Sequence, residues 1–259
     1  MLEFTKAVVA ASILSAVLGQ AQTPAPAPVA PAVFEVATVK LSDPNSKISI
    51  RLLPGGRFVA SNASLRLLIT WAYDIGDERL VGAPRWMESD RYDVVGKAPD
   101  ENPTLDQFHN MVQSLLAERF KLQVHREHKE LPLYILEMDN DGPKVHVLDA
   151  GAVISPDPFK MAGLGRLSGT SVTTTMLAKV LSGQLGRYVE DRTGFKSAFD
   201  FTLVWRPEGA SAADLPADND ARASIFTAIR EQLGFRLVSS KAPVEVIAID
   251  NSERHPTEN

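Results

Sequence analysis

The chain has 259 residues, of which 44% are hydrophobic, and its formal net charge is −5 at pH 7. Its length accommodates one large domain or two small ones, and its composition is that of a globular protein with a core. The lack of a basic stripe or arginine-rich run argues against nucleic-acid binding, and the absence of cysteine excludes disulfides and thiol catalysis.

The N-terminal residues have the pattern of a secretory signal peptide. Lys6 precedes the continuous apolar run Ala7–Leu18, and Gly19 and Ala21 place small residues at positions −3 and −1 of a cut after Ala21. The alternative is an N-terminal membrane anchor, for which the run is short. We therefore expect export to the periplasm or the medium, with no stable membrane insertion after cleavage.

Proline and alanine alternate in the next segment, TPAPAPVAPA, from Thr23 to Ala32. Such a sequence favours extended polyproline conformations and cannot build a core. It predicts a linker, so that the folded part begins near Val33.

Two stretches then resemble each other, GGRFVASNASLRLLI (55–69) and LGRLSGTSVTTTMLAKVL (164–181). Asn62 faces Ser171 in this alignment, and both residue types are good helix N-caps. The apolar residues behind them have the spacing of one helix face. They are Ala63, Leu67, Leu68, Trp71 and Ala72 in the first stretch, and Val172, Met176, Leu177, Val180 and Leu181 in the second. Each stretch predicts a strand, a tight turn and an amphipathic helix.

The following segments also match in order. A strand with Tyr92, Val94 and Val95 corresponds to one with Phe199, Phe201 and Leu203. A second helix begins with the capping box Thr104–Gln107 in the first half and at Ser224 in the second. Its predicted buried residues are Leu105, Phe108, Val112 and Leu115 in the first half, and Ile225, Ile229 and Leu233 in the second.

Each half is predicted to close with a β-hairpin. The segments are FKLQVHREHKELPLYILEMD and FRLVSSKAPVEVIAID, in which Pro132 matches Pro243 and Asp139 matches Asp250. The sequence therefore predicts an α+β fold, a tandem duplication of a small unit with two helices packed on short mixed or antiparallel sheets; the alternative is a chance likeness between unrelated segments. The expected order is a signal peptide (1–21), a linker (22–33), a first repeat (34–142), a connector (143–163), a second repeat (164–251) and a tail (252–259).

Several blocks resemble a known family in sequence and order. They are FEVATVKLSDP, GAPRW…DRYDVVGKAP, LLAERFKLQVHREHKELPLYIL, DRTGFKSAFDFTLVW and SIFTAIREQLGFRLVSSKAPVEVIAID. The chain resembles the acidobacterial soil-associated family of exported proteins, which is defined by a domain of unknown function. Each half also resembles, more loosely, the short N-terminal domain of secretins and TonB-dependent receptors. That second resemblance implies an interaction and signalling module rather than a catalyst.

Motifs for metal binding and hydrolysis are weak or absent in the sequence. The closest histidine pair, His125 and His128, points to opposite sides of a strand, whereas zinc needs three or four converging ligands. No G-x-S-x-G elbow is present. In RLSGTSVTTT, Ser171 is expected to cap a helix and the threonines to lie on its exposed surface. The glycine-arginine pair that recurs in PGGRFVA and GLGRLSG, at Arg57 and Arg166, predicts hairpin turns with positive φ rather than a nucleotide loop.

Charged pairs and tryptophans are also given structural interpretations. Asp90 and Asp93 flank Arg91, and Glu190 and Asp191 precede Arg192; turns and salt bridges account for both groups, although two facing carboxylates would suit a glycosidase. Among the tryptophans, which could also stack on a ligand, Trp71 is predicted to be core, Trp86 to cover a core edge, and Trp205 to be partly exposed.

Two functional classes remain. The first is a non-catalytic binding module of the cell envelope, in which the edge strands of the two terminal hairpins accept an extended segment of a protein partner. The alternative is an uncharacterised extracytoplasmic hydrolase, whose triad could assemble from distant residues. The sequence assigns no catalytic, cofactor-binding or metal-binding residue and no cofactor, and it does not predict the oligomeric state.

Overall fold

The structure, a computed structural model, describes residues 32–43, 45–149, 153, 158–207 and 222–257. The predicted signal peptide, and the predicted linker up to residue 31, lie outside the described residues. Within this part, twelve strands form three four-stranded sheets, and the described residues belong to one compact unit. This arrangement confirms the predicted α+β class.

The elements are named in chain order. The first part contains β1 (Val36–Leu41), β2 (Ser49–Leu53), β3 (Arg57–Ser64), α1 (Leu65–Ala72), β4 (Leu80–Val81), α2 (Trp86–Ser89), β5 (Arg91–Lys97), α3 (Leu105–Phe120) and β6 (Gln123–Met138). The second part contains β7 (His146–Val147), β8 (Phe159–Met161), β9 (Arg166–Val172), α4 (Thr174–Leu185), β10 (Val189–Asp191), β11 (Phe199–Val204), α5 (Ile225–Ala228) and β12 (Phe235–Asn251). A 3₁₀ turn at Asp77–Arg79 precedes β4, and a π-helical segment at Ile229–Leu233 continues α5.

The first sheet is antiparallel and has the strand order β1-β5-β3-β2. Side chains alternate between its two faces, as the period of two in a strand requires. Phe58 and Ala60 on β3 and Tyr92 and Val94 on β5 are buried in a core that also contains residues of α1 and α3. The sheet therefore has one face in the first core and one face in solvent.

The third sheet has the order β7-β11-β9-β8 and is also antiparallel. Two of its strands, at 146–147 and 159–161, come from the predicted connector. Leu167, Phe199 and Leu203 are buried in a second core with residues of α4 and α5. In the first and third sheets alike, the strand before a helix (β3 or β9) lies between an edge strand (β2 or β8) and the strand after that helix (β5 or β11).

The two predicted terminal hairpins are wrong. The two segments instead form single long strands, β6 and β12, which pair with each other along their length in a central sheet of order β10-β6-β12-β4. Proline suggested a turn because it interrupts a ladder, but it fits a strand when its nitrogen faces away from the partner strand. Tyr134 donates its N–H outward to Tyr188, at 2.8 Å, and Pro132, two residues earlier, faces the same outer side.

The two long strands connect the two cores. β6 begins beside the first core, where Val124 packs, and ends in the second core, where Leu136 is fully buried. β12 begins in the second core with Phe235 and reaches the first core with Ile247. Each core is therefore completed by the end of a strand that starts in the other core.

The predicted caps Asn62 and Ser171 are also wrong, because helix α1 is capped by Ser64 and helix α4 by Thr173. Asn62 and Ser171 instead have φ values of 49° and 53°, in the left-handed region. Asparagine tolerates this conformation better than most residues do. The strand pairing shifts register beside both residues, so they form bulges just before the helices.

Other cap and burial predictions had mixed outcomes. The Thr104–Gln107 capping box and the Ser224 cap are confirmed. Leu105 was predicted to be buried but is 52% exposed, because α3 turns its first residue to solvent, whereas Trp205 is only 5% exposed. Thr174, expected on the helix surface, is buried.

Two glycines confirm the predicted turns with positive φ. Gly56 and Gly165 have φ values of 66° and 70°. A Cβ atom would lie 2.1 Å from the carbonyl oxygen of Asp100 at Gly56, and 2.2 Å from that of Trp205 at Gly165. Both positions therefore need glycine for conformation and for space.

Candidate interaction surface

The outer sides of the two central strands are covered only in part. β10 and β4 pair in parallel with the ends of β6 and β12, and Arg79 donates from Nε to the outward carbonyl of Glu245 at 2.8 Å. Pro132 and Pro243 lack the N–H that an added strand would need on these outer sides. This partial cover and the two prolines make β6 and β12 less suited to strand addition than an uninterrupted edge.

The outer edge of β2 is better suited to pairing. No strand of the described chain pairs with it on the side away from β3. Ala98 donates to the carbonyl of Gly56 at 2.8 Å, which fixes the alternation of the ladder. In the observed register, the backbone groups of Ile50 and Leu52 then face outward, while those of Arg51 face β3.

The outer edge of β8 has the same geometry. Thr170 donates to the carbonyl of Pro158 at 2.9 Å and Ala162 donates to that of Arg166 at 3.1 Å. The intervening register turns the backbone groups of Phe159 and Met161 outward. Within the described residues, this edge too has no partner strand.

Each edge combines an apolar and a cationic side. Leu52 and Met161 lie on the core side of their sheets yet are 42% and 51% exposed. A groove of about 260 Å³ continues from Met161 and is lined in part by Tyr134, Trp205 and Phe226. Single exposed apolar residues are common, but here they stand directly at unpaired strand edges.

The solvent-facing side of each edge carries a pair of cations. Arg51 lies opposite Val59, two residues from Arg57 on the same face, and Lys160 lies opposite Ser168, two residues from Arg166. We call the two pairs, Arg51 with Arg57 and Lys160 with Arg166, the edge cations. All four are exposed, and none forms an ion pair within the described part of the chain.

The aspartates in the strands of these two sheets, Asp93 and Asp200, are engaged elsewhere. Asp93 accepts the backbone N–H of Asn62 at 2.9 Å, and Asp200 accepts that of Ser171 at 2.7 Å. The hydrogen bond from Asn62 holds the pKa of Asp93 below its ordinary value. These carboxylates stabilise the bulges and form no ion pair with the edge cations in the described residues.

The carboxylates that the sequence singled out have structural partners. Asp90 binds Arg254 at 2.7 Å, and that contact lowers the pKa of Asp90. Glu190 pairs with Arg192 at 2.9 Å. Because these carboxylates are bound to cations, the structure gives no support for a facing acid pair here.

Asp191 connects β10 to the start of α4. Its carboxylate accepts from the hydroxyls of Thr174 and Thr193 at 2.7 Å and from that of Thr175 at 2.9 Å. Burial alone would raise the pKa of Asp191, but these hydrogen bonds outweigh it and lower the pKa. The hydroxyl-rich segment thus holds a helix terminus in place.

The histidines do not converge with other ligands in the described residues, where no group of three or more His, Asp or Glu side chains could hold a metal ion. His125 bonds Asp250 at 2.8 Å, and this contact raises the pKa of His125. His109 is only 9% exposed and stands edge-on to Trp71, with ring centres 4.6 Å apart. Burial lowers the pKa of His109.

One groove brings together the residue types of a hydrolase. A groove of about 470 Å³ on the outer face of the third sheet is lined by His146, Ser168 and Asp200, among others. The carboxylate of Asp200 accepts the backbone N–H of Ser171. Nucleophilic catalysis requires a hydroxyl bonded to a base that a third group orients, and no such bonds join these three side chains in the described part of the chain.

The edge cations were missed as functional candidates, although a signal for them existed. The alignment of the two halves places Arg57 opposite Arg166. Their partners Arg51 and Lys160 become apparent only from the strand register.

No helix in the described residues is long and apolar enough to span a membrane.

Comparisons with curated proteins and with solved structures gave no significant match. A family model does match the chain, over residues 66–252, which include β4 to β12. The chain therefore belongs to the family described as "Protein of unknown function (DUF3738)".

Proposed function

We propose that the protein is a non-catalytic binding module that accepts extended segments of a protein partner at the outer edges of β2 and β8. The observation that carries this proposal is the outward direction of the backbone groups at Ile50, Leu52, Phe159 and Met161, at edges with no partner strand in the described chain.

Strand addition uses such edges, because main-chain hydrogen bonds provide affinity and alternate side chains provide specificity. Exposed edges are a hazard that proteins usually block with proline or cover. The central strands are protected in this way by Pro132 and Pro243, whereas β2 and β8 contain no proline. This contrast favours a functional role for the two open edges.

We also propose that the protein is exported and acts in the cell envelope or outside the cell. The support is the sequence pattern of Lys6, the apolar run Ala7–Leu18 and the small residues before position 22. Fractionation of cells that produce the full chain tests this proposal. We expect a processed form outside the cytoplasm, and an unprocessed cytoplasmic protein would contradict it.

We further infer that the two halves arose by tandem duplication. Support comes from the two bulges, whose residues Asn62 and Ser171 donate to Asp93 and Asp200, and from the matching strand orders β5-β3-β2 and β11-β9-β8 in the first and third sheets. Superposition of the two halves in an experimental structure tests the inference, and lobes that do not superpose would overturn it.

The test of edge binding is a selection of random peptides on the purified chain, followed by calorimetric titration. The variant Leu52→Pro with Met161→Pro removes one of the two outward N–H groups at each edge and leaves the ladders to β3 and β9 intact. We expect the selected peptides to lose at least about tenfold in affinity for it, because a carbonyl of the peptide loses its hydrogen-bond donor at each edge. The matched variant Leu52→Ala with Met161→Ala keeps the N–H groups and should bind more tightly than the proline variant. Equal affinity for the proline variant and the unchanged protein would contradict the proposal.

A further inference from the structure

The two open edges carry side chains of the same kind, cationic or apolar, in corresponding positions. Strands β2, β3, β8 and β9 contain four cations, Arg51, Arg57, Lys160 and Arg166, and no aspartate or glutamate. This is unusual in a chain with 27 Lys and Arg against 32 Asp and Glu. The net charge of the strand pairs β2–β3 and β8–β9 is therefore positive, whereas that of the whole protein is negative.

We propose that each edge binds an extended peptide segment in which acidic and apolar residues alternate, and that the protein is bivalent, with one such segment on β2 and one on β8. This inference rests on the proposed function. It adds the chemistry of the partner and the number of sites.

The alternation follows from the two faces of each edge. A strand that pairs with β2 continues the sheet, so its side chains point alternately to the core side and to the solvent side. On the core side it meets the exposed side chain of Leu52, and on the solvent side it lies beside Arg51. Apolar residues would be favoured in the first position and acidic residues in the second.

The same argument applies at β8. The core side presents Met161 and the groove that it lines together with Trp205 and Phe226, and the solvent side presents Lys160 with Arg166 behind it. Opposite charges on neighbouring strands stabilise pairing and like charges oppose it. Acidic segments are therefore favoured at both edges, and basic segments are disfavoured.

The bivalency comes from the matched registers. Arg51 and Arg57 become Lys160 and Arg166 after a shift of 109 positions, and the same shift converts Leu52 into Met161. Because the two edges belong to separate sheets, one bound segment does not occupy the other edge. A partner with two acidic segments would gain affinity from engaging both edges.

Calorimetric titration of the full chain tests the inference. The probe is a capped peptide of about eight residues that alternates Glu and Val, long enough for a typical strand. We expect two sites per chain. Arg51→Glu with Arg57→Glu should remove one site, and Lys160→Glu with Arg166→Glu should remove the other. The control variant Arg85→Glu with Lys196→Glu makes the same charge change at exposed positions elsewhere and should keep both sites.

Two further peptides separate this inference from the proposed function. A Lys–Val peptide that binds as tightly as the Glu–Val peptide, or a single Glu–Val site, would overturn the acidic and bivalent assignment while leaving edge binding in place. A Glu–Val peptide methylated at alternate backbone nitrogens should lose at least about tenfold in affinity, because it cannot complete the ladder. Undiminished binding of the methylated peptide, together with undiminished binding to the Leu52→Pro and Met161→Pro variant, would overturn both.

Discussion

The backbone N–H of Asn62 donates to the carboxylate of Asp93 at 2.9 Å, across two strands of the first sheet. The residue has φ of 49° and interrupts the ladder just before α1 begins. The third sheet contains the same bond, from Ser171 to Asp200 at 2.7 Å. In both sheets, an aspartate side chain replaces the strand carbonyl that the bulge removes.

Replacement of this aspartate should destabilise each sheet by a similar amount. Asp93→Ala and Asp200→Ala each leave a largely buried N–H without its acceptor, which costs about 1–3 kcal/mol. Urea unfolding measures the loss. The Asn variants keep a side-chain oxygen and should lose less than the Ala variants. An Ala variant as stable as the unchanged protein would show that the bulge does not depend on the carboxylate.

The end of β12 should stabilise the first core although it belongs to the C-terminal strand. Ile247 is 1% exposed in that core, so Ile247→Ala should cost about 2–5 kcal/mol. Hydrogen exchange should accelerate in α1 and α3 more than in α4. Val238→Ala, at a site that is 38% exposed on the same strand, is the control and should have little effect. Faster hydrogen exchange confined to α4 would contradict the conclusion that the end of β12 completes the first core.

The buried imidazole of His109 should make stability depend on pH near neutrality. Burial lowers its pKa in the folded protein, and the carboxylates of Asp74 and Asp106 oppose this only in part. The unfolded chain therefore binds the proton more readily, so stability falls as pH drops from above the ordinary pKa of about 6.5 toward the lowered value. His109→Gln should flatten the change in urea midpoint between about pH 7.5 and 5.5.

A second histidine provides a control of opposite sign. The contact with Asp250 raises the pKa of His125, so its contribution is present at low pH and is lost as pH rises through the raised pKa. Relative to the unchanged protein, His125→Gln should shift the pH dependence in the direction opposite to His109→Gln. If both variants shift the pH dependence of stability in the same direction, burial is not the cause of the pH dependence attributed to His109.

Acid should weaken the attachment of α4 to β10. The hydroxyls around Asp191 lower its pKa despite burial, so its stabilising effect is present above its ordinary pKa and is lost as pH falls through the lowered value. Asp191→Asn should reduce the stability lost between about pH 5 and 2.5. Asp141→Asn, which affects an exposed carboxylate 3.9 Å from Lys144, should change this loss less. An unchanged acid profile in Asp191→Asn would assign the hydroxyl network no electrostatic role.

Local sequence signals were reliable where neighbouring residues decide the outcome. The Thr104–Gln107 box and the Ser224 cap bond to backbone within three residues, and the turns at Gly56 and Gly165 need only φ and space. The caps of α1 and α4 were misplaced by two residues. Asn62 and Ser171 have cap chemistry, but distant aspartates hold them in bulges.

Such local signals could not predict which strands pair with each other. An alternating segment that contains Pro132 fits a hairpin or one long strand equally well by pattern alone. Which of them forms depends on whether a partner lies alongside, and here the partner is β12, more than a hundred positions away. The edge cations show the same limit, since Arg51 and Arg57 become neighbours only in the register of β2 with β3.

The sequence by itself determined the α+β class, the order of most strands and helices, and the turns and caps that depend on short-range hydrogen bonds and steric limits. The tertiary structure decided which strands pair, which edges remain open, and where charged and apolar side chains meet at those edges. These features depend on contacts between residues far apart in the chain, whose free energy no local pattern records.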